Sequence, residues 1–334
     1  MGFTYGEFTQ ILDKHLQEEQ IERVLEALAE SPQRFTGIFR PSTPREKLIQ
    51  YVIQSREIKF GDAFEEVISE ILSRSGYSAL PKTLEAEGEG KLACDLLFES
   101  PDRLSILLVE QKMRDDHDST KRRGQFQNFE QKVKAVCNQY SGFKLHAIMY
   151  FVDPEQAKNK SHYISECNKL KTSLPAHATL AVLYGEEFFN YLEQSISPPC
   201  VSWTELEEWL ERWRNTDRTE APELIDLEKR ENLDKVIEIA KRRPKLISKI
   251  AGERSLWAEG LVKALFPTGD GLREICNSLK EAIEAHKQAA SAQTRRRQKR
   301  AHKATEAYKH AADKLEECIS KFYQEGTYDE PATP

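Results

Sequence analysis

The sequence lacks any long apolar run. Its mean hydropathy is −0.64, and no stretch approaches the roughly 20 apolar residues that span a bilayer. The first twenty residues, MGFTYGEFTQILDKHLQEEQ, also lack the basic start and apolar core of a signal peptide. We therefore expect a cytoplasmic protein that does not bind membranes.

Closely spaced cysteines and glycine-rich phosphate loops are also missing. The six cysteines never come within four positions of each other, which excludes zinc ribbons and Cys-x-x-Cys redox pairs. No P-loop or Gly-x-Gly-x-x-Gly pattern is found, and Gly88 and Gly90 precede a strand rather than open a helix. The sequence therefore carries none of the usual phosphate-binding motifs of nucleotide-driven or dinucleotide-dependent enzymes.

Charge is present but unevenly distributed. The net charge of −6 argues against a general binder of polyanions, although a local basic surface can still bind nucleic acid. Residues 287–303 carry seven lysines and arginines and no acid, and residues 112–134 carry seven against four acids. Two segments are therefore candidates for contact with phosphate groups.

The pattern of elements predicts three regions. Residues 1–55 read as a helical N-terminal region, residues 56–200 as an α/β core, and residues 201–334 as a helical region with a disordered tail from about 325. In the core, LSILLVEQK is a nearly continuous apolar strand, which is typical of burial on both faces. Strands and amphipathic helices alternate around it, so we expect a mixed sheet flanked by helices.

The C-terminal region contains a long segment without helix breakers. Residues 272–323 include no glycine or proline and predict either one helix of about 80 Å or a helical hairpin. Apolar residues recur there at spacings of four and three, namely Ala304, Tyr308, Ala311, Leu315, Cys318 and Phe322. This repeat predicts a packing seam against another helix, of the same or of a second subunit.

Charged residues follow the apolar strand at its end. Alternate side chains of a strand share a face, so Glu110 and Lys112 point the same way. Asp95 lies in the preceding predicted strand, KLACDLLFE, and a short turn makes the two strands antiparallel neighbours. Two carboxylates and an ammonium group then converge, an arrangement that suits Mg²⁺ beside a phosphodiester. The alternative is a solvated ion pair of little consequence.

The run from Cys94 to Gln125, with Asp95, Glu110 and Lys112 after the helix GDAFEEVISEIL, resembles the Pro-Asp…(Asp/Glu)-x-Lys nucleases. MRDDHDSTKRRGQFQNFEQK is similar to a stretch of some type II restriction endonucleases. The resemblance covers about residues 45–190, and Cys94 stands where that family often has proline.

The resemblance implies a restriction-endonuclease-like core and Mg²⁺-dependent hydrolysis of DNA that leaves 5′-phosphates, with Mn²⁺ able to substitute. It implies that Asp95 and Glu110, with Gln111 beside them, bind the metal ions and that Lys112 positions or activates water. It also implies a contribution from a helix glutamate ahead of the sheet, for which Glu65 fits and its neighbour Glu66 competes.

The segment after the strand has two interpretations. It is either a solvated loop whose Asp118 or Ser119 caps the next helix, or a DNA-contacting surface. Asp115, Asp116 and Asp118 would pair with nearby arginines or support the metal site, and His117 is a base or simply solvated. The predicted DNA contacts in this segment and in the C-terminal basic tract are Arg114, Ser119, Thr120, Lys121, Arg122, Arg123, Gln125, Asn128, Arg295, Arg296, Arg297, Lys299 and Arg300.

The leading hypothesis is therefore a sequence-specific endonuclease of a restriction–modification system that cuts double-stranded DNA. Two cuts in a duplex require two active sites, so we expect a homodimer. A host must be protected from such an enzyme, so we also expect a cognate DNA methyltransferase as a genetic partner. A repair or junction nuclease of the same fold is the alternative within this class. A non-catalytic helical module that binds DNA or protein is the alternative outside it.

Overall fold

The structure is a computed structural model that describes residues 2–17, 20–36, 39, 41–85, 90–115, 118–216, 220–252, 259–291 and 295–323. Within these ranges the chain forms helices and strands in the following order. The helices are α1 (Tyr5–Gln17), α2 (Gln20–Glu30), α3 (Gln33–Thr36), α4 (Pro44–Arg74), α5 (Ser119–Gln139), α6 (Lys160–Lys171), α7 (Glu186–Ser195), α8 (Trp203–Arg214), α9 (Ala221–Leu224), α10 (Arg230–Arg242), α11 (Pro244–Gly252), α12 (Glu259–Leu265), α13 (Asp270–Ser291) and α14 (Arg295–Phe322). The strands are β1 (Ser78–Ala79), β2 (Thr83–Glu85), β3 (Lys91–Ala93), β4 (Leu96–Glu99), β5 (Ser105–Lys112), β6 (Lys144–Phe151) and β7 (Ala178–Tyr184).

A mixed sheet is the centre of the α/β part of the chain. Its strands follow the order β1-β4-β5-β6-β7, and β2 and β3 form a separate antiparallel pair. β4 is antiparallel to β1 and β5, whereas β5, β6 and β7 are parallel to one another. The predicted mixed sheet flanked by helices is confirmed.

Helices cover both faces of this sheet, which explains the apolar run of β5. Leu107 and Val109 pack on one face with side chains of α1, α4, α7 and α8. Ile106 and Leu108 pack on the other face with α5 and α6. Because neither face of the strand meets water, its residues do not alternate between apolar and polar.

The long helix α4 has sequence signals at both ends. Its first turn carries the predicted capping box, in which the Thr43 backbone N–H donates to the Glu46 carboxylate at 2.7 Å and the Glu46 N–H donates to Thr43 Oγ1 at 3.3 Å. After Arg74 the chain turns through Gly76, whose φ of +89° is open to glycine at little cost. Local chemistry therefore sets both ends of this helix.

The chain divides into two compact units that interleave along the sequence. The sheet unit combines Met1–Leu16 with Ile58–Thr216, and the helical unit combines Gln17–Glu57 with Asp217–Pro334. The sequence places boundaries near residues 55 and 200 instead, and that division into three regions stays a prediction. The expected disordered tail from about 325 lies outside the described residues.

In the helical unit, α13 and α14 pack against each other as a hairpin. The His286 ring stacks on Tyr308 with centroids 5.3 Å apart, and Cys276 Sγ approaches the Ala312 carbonyl at 3.7 Å. Leu315 and Cys318 of the predicted seam are buried in the core of this unit. Of the two alternatives, the hairpin is correct, and the seam packs against a helix of the same chain.

The described helices include none that could cross a bilayer. Each is too short or too polar over an 18-residue window to do so.

Candidate active site

Asp95 lies in the short link between β3 and β4. The sequence predicts one strand over KLACDLLFE, but the chain leaves β3 after Ala93 and enters β4 at Leu96. β3 pairs with β2, whereas β4 pairs with β1 and β5, so the chain must bend between them. The expectation that Asp95 lies inside a strand is therefore wrong, and its carboxylate leaves the backbone at a bend.

The predicted antiparallel pairing of the two following strands is confirmed. Leu96 pairs with Val109, which brings Asp95 beside Glu110 at the end of β5. Glu110 and Lys112 share a face because alternate strand residues point the same way. Register and periodicity together thus bring these three charged side chains to one end of the sheet.

Three oxygen atoms converge on the Lys112 ammonium group. Its Nζ donates to Asp95 Oδ2 at 3.0 Å, to Glu110 Oε1 at 2.8 Å and to the Gln111 carbonyl at 2.7 Å. The Gln111 backbone N–H also donates to Asp95 Oδ2, at 2.8 Å, and so holds that carboxylate against the strand. The cluster is therefore a compact, hydrogen-bonded cation site built from the chain's own groups.

Burial and charge act in opposite directions on Lys112. Burial by itself lowers the pKa of the ammonium group, but the carboxylates of Glu110 and Asp95 outweigh it, so the pKa is raised. The Glu110 side chain is only 4% exposed, whereas that of Lys112 is 27% exposed. The ammonium group stays charged at neutral pH and has a path to solvent.

A second lysine, which sequence reasoning missed, binds the same glutamate. Lys132 of α5 donates from Nζ to Glu110 Oε2 at 2.5 Å and lies 4.0 Å from Asp95 Oδ1. Its side chain is 4% exposed and comes from the apolar face of α5, which carries Phe129 and Val136. Lys132 lies three residues after Phe129 and four before Val136, so helical periodicity places it on the apolar face of α5. A lysine buried there requires a partner, and this spacing could have identified it from the sequence.

The oxygen donors at this site suit a hard divalent cation. Within the ranges described, no group of three or more His, Cys, Asp and Glu side chains is arranged to hold a metal. The donors are instead two carboxylates and the Gln111 carbonyl, which already surround a cation in the form of the Lys112 ammonium. Burial raises the pKa of the nearby Cys94 thiol to about 11.

The segment that carries this cluster matches a known family. Residues 78–213 match the model of the family described as "Type II restriction endonuclease, HinfI". The chain is a type II restriction endonuclease. The matched segment begins at the first residue of β1, spans the strands from β1 to β7 and includes both lysines of the cluster. Searches of curated proteins and of solved structures found no match.

Glu65 of the restriction enzyme lies on α4, ahead of the matched segment. Its carboxylate accepts a hydrogen bond from Lys82 Nζ at 2.5 Å. Burial raises the pKa of Glu65, the Lys82 ammonium opposes that change, and the negative charge of Asp95 adds to it. Its competitor Glu66 binds Lys14 and His15 instead. Of the two glutamates, Glu65 is the one that interacts electrostatically with the candidate active site.

The two described aspartates of the acidic loop in the restriction enzyme have different surroundings. Asp118 is the N-cap of α5, accepting the backbone N–H groups of Thr120 and Lys121, both at 2.9 Å. Asp115 is fully buried and accepts the Asn159 backbone N–H at 2.5 Å and the Tyr184 hydroxyl at 2.9 Å. Asp115 therefore links the segment after β5 by hydrogen bonds to the residue before α6 and to the end of β7. Asp116 and His117 lie outside the described residues.

The predicted DNA contacts on and before α5 differ in exposure. Arg122 donates to the Asn159 side chain at 2.9 Å, and Gln125 accepts from the Tyr163 hydroxyl at 2.8 Å, so both are engaged within the protein. The others lie on the surface of the enzyme, and these are Arg114, Ser119, Thr120, Lys121, Arg123 and Asn128. The face that α5 presents to solvent is thus polar and basic.

The predicted contacts in the C-terminal tract begin α14. The helix starts at Arg295, but the side chains of residues 295–297 lie outside the described part of the enzyme. Lys299 and Arg300 are exposed. Arg300 lines a groove of about 720 Å³ between α2, α11 and α14, together with Arg242, Arg243, Lys245, Lys249 and Lys303. The structure thereby adds basic residues from α10 and α11 that the sequence pattern did not single out.

Proposed function

We propose that the enzyme hydrolyses phosphodiester bonds of double-stranded DNA at the end of β5, with Mg²⁺ as cofactor and 5′-phosphate ends as products. The convergence of Asp95, Glu110 and the Gln111 carbonyl on one cation, the Lys112 ammonium group, carries this proposal. The same pattern supports membership of the Pro-Asp…(Asp/Glu)-x-Lys nucleases, with Cys94 in the proline position. Mn²⁺, which also accepts oxygen ligands, is expected to substitute.

The chain's own groups divide the work at this site. Asp95, Glu110 and the Gln111 carbonyl would hold the ion. Bound there, Mg²⁺ supplies positive charge for the phosphate and makes bound water more acidic. Lys112 reaches solvent and is proposed to leave the carboxylates and contact the scissile phosphate or the attacking water, where its positive charge favours the transition state. Glu65 is proposed to assist from α4.

The DNA is proposed to be held by two basic surfaces. On α5, the exposed Lys121 and Arg123 are proposed to bind phosphates and Asn128 to reach base edges. Ser119, Thr120 and Arg114 would support the first surface, Arg122 and Gln125 would require rearrangement, and the tract Arg295–Arg300 would bind phosphates in the helical unit. Exposure supports this assignment for Lys121, Arg123, Asn128, Lys299 and Arg300.

The assembly follows from the reaction. A double-strand break requires two hydrolytic events, so we propose a homodimer with one active site per subunit. A cognate methyltransferase, encoded nearby, would protect the host DNA. Light scattering of the purified protein tests the first proposal, and the identity of the neighbouring genes tests the second.

Plasmid cleavage tests the function itself. The purified chain is incubated with several plasmids in Mg²⁺, in Mn²⁺ and in EDTA. Discrete fragments that require the metal and carry 5′-phosphates are expected. Random nicking would favour a repair-type nuclease, and intact DNA under all conditions with a folded sample would refute the proposal.

A further inference from the structure

The two oxygens of Glu110 bind two different lysines. Oε1 accepts from Lys112 at 2.8 Å, and Oε2 accepts from Lys132 at 2.5 Å. The two oxygens of Asp95 also face different lysines. Lys112 contacts Oδ2 at 3.0 Å, and Lys132 lies 4.0 Å from Oδ1. The pair of carboxylates thus has two cation positions, and an ammonium group fills each.

These two positions differ in how easily the cation can leave. The Lys112 side chain is 27% exposed at the end of a strand, so its ammonium group can rotate into solvent. The Lys132 side chain is 4% exposed, and its neighbours on α5, Phe129 and Val133, are fully buried in the core. Moving its charge away from Glu110 would leave a buried ammonium group and the buried Glu110 Oε2 atom without each other, which is costly.

A two-metal nuclease uses both positions, since its carboxylates bridge two ions a few ångströms apart. Here the second position holds a lysine that the surrounding core retains. We propose that the Lys132 ammonium group replaces a second divalent cation, so that each active site binds one ion, at the position where Lys112 lies in the structure. This inference rests on the proposed function, because it presumes that Asp95 and Glu110 bind metal.

A purely structural role for Lys132 makes a different prediction. If the lysine only fastened α5 to β5, its removal would lower stability and leave the number of bound ions unchanged. If it replaces an ion, its removal exposes Glu110 Oε2 and Asp95 Oδ1 to a second cation. The number of ions bound per chain therefore separates the two roles.

The experiment measures Mn²⁺ binding to the full chain by electron paramagnetic resonance, without DNA. Wild type, Lys132→Met and Lys112→Ala are compared, and circular dichroism checks that each is folded. Methionine keeps the length and apolar stem of Lys132, and Lys112→Ala is the matched control that removes the other ammonium group from the same carboxylate. We expect one ion per chain in wild type, one bound at least tenfold more tightly in Lys112→Ala, and two in Lys132→Met.

Several outcomes would overturn the inference. Two ions per chain in wild type or in Lys112→Ala would do so, even if Lys132→Met failed to fold. One ion in folded Lys132→Met would do so as well. Absence of Mn²⁺ binding in all folded variants would instead refute the proposed metal site, whereas plasmid cleavage with two bound ions would leave the proposed function intact.

Discussion

Two basic regions of the enzyme use their positive charge differently. At the end of β5, Lys112 and Lys132 both bind buried or half-buried carboxylates. In the groove between α2, α11 and α14, the exposed Lys245, Lys249 and Lys303 form no ion pair within the described ranges. The charges of the first region are balanced internally, whereas these three lysines of the second region carry charge that no ion pair among the described residues balances, although Glu26 and Glu30 also line the groove.

The contrast indicates two kinds of work. Paired charges at the end of β5 are held at defined distances, as the chemistry that we propose on a phosphate requires. Unpaired surface lysines attract a polyanion without fixing its register, as backbone contacts to DNA do. Within the groove, Arg243 stands between these cases, because it is bound to Glu22 at 2.6 Å and to Glu26 at 2.5 Å.

The largest effect is expected from neutralising the carboxylates of the paired region. Asp95→Asn and Glu110→Gln should each lower the cleavage rate by about 10³-fold or more, because each removes charge that a metal ion requires. Single-turnover cleavage of plasmid DNA measures the loss. Asp102→Asn, in the turn between β4 and β5, is the control and should retain activity. Rates within tenfold of wild type for Asp95→Asn would contradict the assignment.

A smaller effect, on stability, is expected from replacing Asp115, which is buried just beyond the end of β5. Asp115→Ala leaves the hydrogen-bond donors of Asn159 and Tyr184 without their acceptor, so the free energy of unfolding should fall by about 3 kcal/mol. Asp118→Ala, which removes a helix cap, should cost about 1 kcal/mol. Denaturant unfolding followed by tryptophan fluorescence compares the two, since three of the four tryptophans, namely Trp203, Trp209 and Trp213, lie in the sheet unit. Equal losses of unfolding free energy would show that the buried hydrogen bonds of Asp115 stabilise the fold no more than a helix cap does.

The smallest effect is expected from the unpaired region. Replacing Lys245, Lys249 and Lys303 together by alanine should weaken DNA binding about tenfold. The slope of log affinity against log salt concentration should become shallower by roughly 0.9 for each phosphate that the variant no longer neutralises. Fluorescence anisotropy across a salt series measures both. A matched triple variant of exposed lysines outside the groove, at Lys235, Lys309 and Lys321, should change neither. Similar losses of DNA affinity in both triple variants would show that the groove lysines contribute no more to DNA binding than other surface lysines do.

Sequence reasoning located the paired region in part. Strand periodicity and a short turn are local, so they sufficed to bring together Asp95, Glu110 and Lys112. Lys132 escaped because its role depends on which face of α5 packs on the sheet. Asp115 escaped because its partners Asn159 and Tyr184 lie 44 and 69 residues away along the chain.

The fold shows the same limit. Buried strands, caps and the mixed sheet follow from patterns a few residues long. The composition of the compact units does not, because the sheet unit takes its first helix from the N-terminus and the helical unit takes Gln17–Glu57. Such interleaving is decided by tertiary packing.

The most direct test of the account compares two strand lysines. Lys112 ends β5 among the carboxylates, whereas Lys144 begins the neighbouring parallel strand β6 beside Ser105, at the opposite end of the sheet. Each is changed to alanine, and DNA cleavage and DNA binding are measured in Mg²⁺. We predict that Lys112→Ala binds DNA as wild type does but cleaves at least about 10³-fold more slowly, while Lys144→Ala does both normally. Wild-type cleavage by Lys112→Ala would show that the chemistry is carried elsewhere.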